Sequence, residues 1–252
     1  MCCRGGTGYI GSSFSCIEIL VALFYTGIMR FDSEDTRKDR FMLSKGHASP
    51  TLCCILADLG FFSEERLKKF NHKEGSFILH FPETMPGIPA SIWSLGMGLG
   101  MATGMAYGRK LNRDTGLVFC LIGDAETYEG SIWEAATFAS HYRLSNLVVI
   151  MDRNFMGATD FTEDMCALED VEAKWRAFGW ETARIDGHDF DELMGALKGI
   201  RSRQGAGPYI IIADTNKGKG ISFMEGEPLW HSRAFTADEK AQAEQEVNCE
   251  NG

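Results

Sequence analysis

Asp124 and Asn154 are the residues whose types and placement first suggest chemistry. Each stands just past an apolar run of strand length. Residues 117–122 break at Gly123 and leave Asp124 beyond them, and residues 147–151 deliver Asp152, Arg153 and Asn154. Between the runs, Ser131 to Glu134 reads S-x-x-E, a capping box, ahead of a helical pattern with Ile132, Ala135, Ala136 and Ala139 on one side; Asn146 closes that helix. A strand-loop-helix-strand unit of this kind makes neighbouring parallel strands, so the two residues are expected side by side at one sheet edge. There a carboxylate and a carboxamide, both oxygen donors, suit a hard divalent cation such as Mg²⁺, with a bound phosphate completing its shell. Asp and Asn are also ordinary turn residues after strands, and spacing alone leaves that plainer role open.

Three histidines fall where the same edge could gather them. His47 lies in Ser44-Lys45-Gly46-His47-Ala48-Ser49-Pro50, a stretch of small residues after a short buried run at 41–43. His80 lies in the unpatterned, Pro-containing stretch 71–89, and His231 follows Trp230. Convergence of five such polar residues is expected of a site and not of a core.

The frame that positions them is α/β. Buried runs near 41, 117, 147, 180 and 209 alternate with helical patterns at about 15–25, 51–59, 63–70, 94–111, 170–177 and 189–203, which predicts a doubly wound, mainly parallel sheet. Glycines 96, 100, 104 and 108 share one face of the fourth of these helices. Each costs about 1 kcal/mol against Ala, so close packing against another helix or a ligand is expected there. The charge run 32–39 reads as solvated and Lys217-Gly218-Lys219-Gly220 as a mobile basic turn, with phosphate binding by the Lys-Gly pair as the other reading. From about residue 236 the chain reads as an exposed acidic helix with a T-x-x-E cap.

A length of 252 residues suits one large α/β domain, taken as 1–252. Net charge is −10 and Lys and Arg form no block, which argues against nucleic acid as a partner. The apolar run 16–29 contains Glu18, is too short to cross a membrane and has no basic flank, so neither a membrane span nor a signal peptide is expected. Eight cysteines without a C-x-x-C read as buried apolar side chains in a reduced cytoplasm.

Gly123-Asp124-Ala125, then 28 residues, then Asn154 resembles the thiamine diphosphate signature of transketolases and their relatives, with Ala125 where Gly is usual. The continuation EGSIWEAATFASHYRLSNLVVIMDRN is similar to the amino-terminal third of a transketolase, so the thiamine diphosphate-binding fold is implied. The resemblance implies that Asp124, Asn154 and the carbonyl of Met156 hold Mg²⁺, or Ca²⁺ or Mn²⁺ in its place. It implies that Gly123, Ala125, Leu95, Gly96 and Glu129 belong to the cofactor site, Glu129 within an acidic network at the subunit interface. S-K-G-H-A gives His47, and Trp230-His231 gives His231, roles at the diphosphate and the reacting carbons. His80 matches the family's G-H-P-E histidine, displaced by one inserted residue. Tyr9 stands where the family has a substrate-contacting His, Trp93 where it has Gly, and Met97 where it commonly has His or Gln.

The activity so implied is two-carbon ketol transfer from a ketose to an aldehyde. The family's second domain supplies the glutamate that activates the cofactor's pyrimidine, and the residues after Asp214 are too few to form it. A separate pyrimidine-binding subunit, sugar substrates and a cytoplasmic heterotetramer are therefore expected, with this chain inactive alone. A transketolase-like partner without catalysis and an α subunit of a 2-oxoacid dehydrogenase are the alternatives.

Overall fold

The computed structural model describes residues 1–2, 9–32, 38–72, 88, 94–203 and 206–249. Five parallel strands form one sheet: β1 (Arg40–Leu43), β2 (Val118–Gly123), β3 (Leu147–Arg153), β4 (Glu181–Asp186) and β5 (Tyr209–Asp214), in the spatial order β1-β2-β3-β5-β4. The helices are α1 (Ile10–Phe14), α2 (Ile17–Tyr25), α3 (Ser49–Asp58), α4 (Met97–Leu111), α5 (Gly130–His141), α6 (Thr162–Cys166), α7 (Val171–Ala177), α8 (Phe190–Leu197) and α9 (Ala237–Cys249).

Period-two alternation sends each strand's side chains to two cores. Phe41, Leu43, Phe119, Leu121, Val148, Ile150 and Ile211 pack with α2, α3 and α8. Met42, Val118, Cys120, Ile122, Val149, Met151, Ile210 and Ile212 pack with α4, α5 and α7. The crossovers through α5 and α7 step one way along the sheet, whereas the return from β4 to β5 steps back. A right-handed connection then puts α8 on the opposite face from α5 and α7. The edge strand β4 is half-exposed and carries charged pairs, Arg203 with Glu181 and Arg184 with Asp214, that discourage edge-to-edge pairing.

The expected doubly wound parallel architecture is present, with local corrections. Ser131 is not a cap: α5 starts at Gly130 after an extended Glu129, and the Ser131 hydroxyl, already within the first turn, donates to Gly96 O at 3.0 Å. Asn146 does not end α5, which stops at His141. Arg143 turns the chain at φ 45°, and Asn146 Nδ2 instead donates to Ala106 O at 2.8 Å, fastening β3's start to α4. The helix expected at about 15–25 is α2, which begins at Ile17; the additional short α1 precedes it, and between the two Ser15 Oγ donates to Asp152 Oδ2 at 2.6 Å. The helix expected over 63–70 is a 3₁₀ turn, Glu64–Lys69, and the one expected over 189–203 ends at Leu197, before a left-handed Gly199.

Asp39 is buried rather than solvated, because it accepts from Arg30 N at 2.7 Å and Leu117 N at 2.8 Å and pairs with Arg201. The capping box at Thr236 and Glu239 forms as expected, with α9 docked through buried Ala243 near Ile10, Ile221, Met224 and Trp230. The expected close packing of the four glycines is found at Gly96, against Glu129 and Ser131, whereas a Cβ at Gly100, Gly104 or Gly108 would meet nothing within 4 Å among the described residues.

Candidate active site

The register pairs Gly123 with Asp152, so the residues after β2 and β3 emerge together at the carboxyl edge. Asp124 Oδ1 accepts from Ala125 N at 2.7 Å; Oδ2 accepts from Phe155 N at 2.8 Å and Arg153 Nη1 at 3.0 Å. Asn154 Oδ1 accepts from Met156 N at 3.1 Å, and its Nδ2 donates to Asp152 Oδ2 at 3.3 Å. The corner thus gathers Asp124, Asn154 and Met156. Burial pushes the Asp124 carboxyl up, and the Arg153 guanidinium opposes that without cancelling it. Arg153 is also held by Thr162 Oγ1 at 2.7 Å and Glu163 Oε1 at 2.7 Å, which ties Asp124 to α6.

Beside this corner lie two buried lysines with opposite environments. Lys45, which follows β1, pairs with Asp152 and donates to Ser12 O at 3.0 Å. Burial alone would raise the Asp152 carboxyl, but the Lys45 ammonium and hydrogen bonds from Ser15 and Thr215 hold it below its ordinary value. Lys217 is equally buried, yet it forms no salt bridge among the described residues. Its Nζ meets Gly157 O at 2.8 Å and His231 Nδ1 at 3.0 Å. Burial first and the nearby Lys45 second lower Lys217 to about 8. Burial, then Lys217 and Lys45, push His231 down to about 4. The His231 ring lies 5.2 Å from Tyr9 and 5.5 Å from His47, and Tyr9 lies 5.9 Å from His47.

Glu126 binds the surrounding loops together. Its buried carboxylate accepts from Ser44 Oγ at 2.5 Å, Gly96 N at 2.8 Å and Gly123 N at 2.8 Å. The segments after β1, after β2 and before α4 are thereby joined. Gly96 has φ 82°, and a Cβ there would come within 2.6 Å of Glu129 Cβ and Ser131 Oγ, so no side chain fits. Leu95 is half-buried beside it, whereas Met97 and Glu129 are exposed. Ala125 opens a 3₁₀ turn with φ below zero, a conformation in which its methyl group is not strained.

Of the sequence-predicted site residues, Asp124, Asn154, Met156, Gly123 and Ala125 meet at one corner, and His47 and His231 meet at the next. Leu95, Gly96 and Glu129 form the wall joined through Glu126. His80 and Trp93 lie outside the described residues. Sequence reasoning missed Asp152, Ser12 and Glu126, and it took the turn at Lys217 for a mobile one ahead of the phosphate-binding alternative. The signal for Lys217 was its position directly after the last buried strand, at the same edge as the others.

These residues fit an anionic ligand with a divalent cation. Lys217 brings positive charge into a buried place where, among the described residues, no carboxylate pairs with it directly, although Asp124 and Asp152 act on it from further off, and Ser12 Oγ is buried with no partner among the described residues. Among the described residues no three His, Cys, Asp or Glu side chains are grouped to hold a metal. A cation at Asp124 would thus draw on amide, carbonyl and phosphate oxygens, the donors a hard ion prefers.

An open parallel sheet with its polar residues at the carboxyl edge defines a cofactor-binding α/β protein. Residues 3–251 match the family model described as "Transketolase, thiamine diphosphate binding domain", and this chain belongs to that family. It is 36% identical over 249 residues to an apulose-4-phosphate transketolase subunit of Phocaeicola vulgatus, covering 97% of this chain and 88% of that one. It is 37% identical over 237 residues to 6-deoxy-6-sulfo-D-fructose transketolase subunit SqwG of a Clostridium species, covering 92% and 86%. Human transketolase is 37% identical over 246 residues, but the match takes 96% of this chain and only 39% of that protein. The crystal structure of Campylobacter jejuni transketolase superposes with a TM-score of 0.87 at 24% identity, over 97% of this chain and 40% of that one, which agrees in fold.

Proposed function

We propose that this chain is one diphosphate-binding domain serving as a subunit of a thiamine diphosphate-dependent transketolase. It moves a two-carbon ketol unit from a ketose to an aldehyde acceptor together with a separate pyrimidine-binding subunit. The observation that carries this reading is Lys217, a buried ammonium with no carboxylate partner among the described residues, beside His231 and next to the oxygen-donor corner. A buried cation without a counter-charge is costly unless a ligand supplies one, and a metal-bound diphosphate does so.

In this reading Asp124, Asn154 and the Met156 carbonyl hold Mg²⁺, or Ca²⁺ or Mn²⁺ in its place, and the Lys217 ammonium faces the diphosphate. The backbones of Gly123, Ala125, Leu95 and Gly96 bound the cofactor, with Glu129 at the subunit boundary. Thiamine diphosphate, when bound, supplies the carbanion chemistry for cleaving and forming the carbon-carbon bond. His47, His231 and His80 hold sugar oxygens by hydrogen bonds. His231 stays neutral down to about pH 4, so near neutrality it donates a hydrogen bond without delivering a net proton. Tyr9, whose ring lies beside both His47 and His231, can donate likewise.

Three relatives are named as transketolase subunits, and this chain is similar in extent to them, which supports a partner in a heteromeric enzyme. The open glycine face of α4 supports it independently. We assign a heterotetramer in the cytoplasm; no helix among the described residues is long and apolar enough to cross a membrane. The test is calorimetric titration of thiamine diphosphate and Mg²⁺ into the chain, with and without its pyrimidine-binding partner. Binding that requires the partner and is lost in Asp124→Ala is the expected result. Absence of binding in both mixtures, with folded proteins, would leave a transketolase-like partner without catalysis.

A further inference from the structure

We infer that Lys217 is a positioning residue that fixes the tautomer of His231: its ammonium donates to Nδ1, so the ring keeps its proton on Nε2 and offers that N–H to the site. Its consequence for sugar binding rests on the function proposed above, but the inference concerns this chain alone.

The geometry is direct. Lys217 Nζ lies 3.0 Å from His231 Nδ1 and 2.8 Å from Gly157 O, and it is buried. An ammonium group has donors and no lone pair, so an imidazole nitrogen bonded to it must accept. A neutral imidazole that accepts at one nitrogen donates at the other. Both proton conditions hold between about pH 4, above which His231 is neutral, and about pH 8, below which Lys217 is charged. Within that window the lysine also excludes imidazolium, because a second cation would face Lys217 itself and Lys45 behind it. Among the described residues the rings against His231 are those of His47 and Tyr9, and neither is a carboxylate that would restore the imidazolium; Asp124 and Asp152 favour the charged form of Lys217 without cancelling burial and Lys45.

The Gly157 bond sets the lysine's direction. Gly157 closes the loop that carries Asn154 and Met156, so the ammonium is held between that loop and the histidine. The ring's donor is thus positioned by the same loop as the proposed metal ligands, although His231 lies 75 residues from Met156 in sequence.

Nitrogen NMR of the uniformly ¹⁵N-labelled full chain tests this, with His231 assigned by its disappearance in His231→Asn. Between about pH 4 and 8 the wild type is expected to show one tautomer, with Nδ1 unprotonated and hydrogen-bonded and Nε2 protonated. Lys217→Met is expected to populate the second tautomer, bringing the two ring shifts toward each other, and to move the titration up from about 4 toward the ordinary 6.5. A wild-type ring protonated at Nδ1 overturns the inference, as does a variant whose shifts and titration match wild type. The wild-type spectrum decides the tautomer by itself if the variant does not fold. No cofactor is present, so a failure here is distinct from a failure to bind thiamine diphosphate.

Discussion

Burial and the neighbouring Lys45 cost Lys217 part of its basicity, lowering it from 10.5 to about 8, and this makes it the most pH-sensitive residue of the site near neutrality. The unfolded chain binds the extra proton more readily between about pH 8 and 10.5, so this group's contribution raises stability with increasing pH across that window and is constant below it. Anion binding has the opposite sign, since only the charged form attracts a diphosphate. Affinity for Mg²⁺-thiamine diphosphate is expected to fall above about pH 8, by up to about tenfold per pH unit, when followed by calorimetry. Lys217→Met should remove that dependence and cost about 2 kcal/mol, roughly thirtyfold in affinity, because a charge-assisted hydrogen bond is lost. A pH profile unchanged in the variant would assign the dependence to another group.

At the scale of elements, three of the site's segments are kept in register by one carboxylate, that of Glu126. Glu126→Ala leaves the donors of Ser44, Gly96 and Gly123 buried without their acceptor. We expect a loss of about 3 kcal/mol or more in urea denaturation, with weaker cofactor binding in whatever folds. Gly96→Ala should cost about 2 kcal/mol in the same assay, because φ 82° and the contacts with Glu129 and Ser131 leave its methyl group no space.

Most of the strands were readable in advance as short apolar runs ended by a turn residue, β4 being the mixed, half-exposed exception, and Asp124 and Asn154 were readable as the residues beyond two of them. Glu126 was not, since a lone Glu in a Gly-Asp-Ala-Glu turn carries no pattern and its three partners are 3, 30 and 82 residues away. Lys217 was misread for a related reason. Lys-Gly-Lys-Gly has the composition of a solvated turn, and tertiary contacts with His231, the loop at Gly157 and Gly11 of α1 bury its first lysine. Ser131 shows the limit of local rules: the hydroxyl had a capping sequence, but the better acceptor was a carbonyl brought in by the fold.

For the whole molecule, the informative surface is the face of α4. Gly104 lies within the helix with open space around it, so Gly104→Ala should stabilise the isolated chain by about 1 kcal/mol in thermal or urea denaturation. The same change should weaken association with the pyrimidine-binding partner or a second copy of this chain, read by analytical ultracentrifugation. Association left intact in a stabilised variant would place the contact elsewhere. A gain in monomer stability joined to a loss of assembly distinguishes a face kept clear for another chain from one that is merely exposed.

That open face also has a consequence for dosage. If the proposed pyrimidine-binding subunit covers the cradle, turnover per milligram is expected to decline on dilution once concentration falls below the dissociation constant of the pair. In the proposed assembly, equal synthesis of the two chains then matters as much as the quality of either, because a surplus of this one has no pyrimidine-binding half to work with.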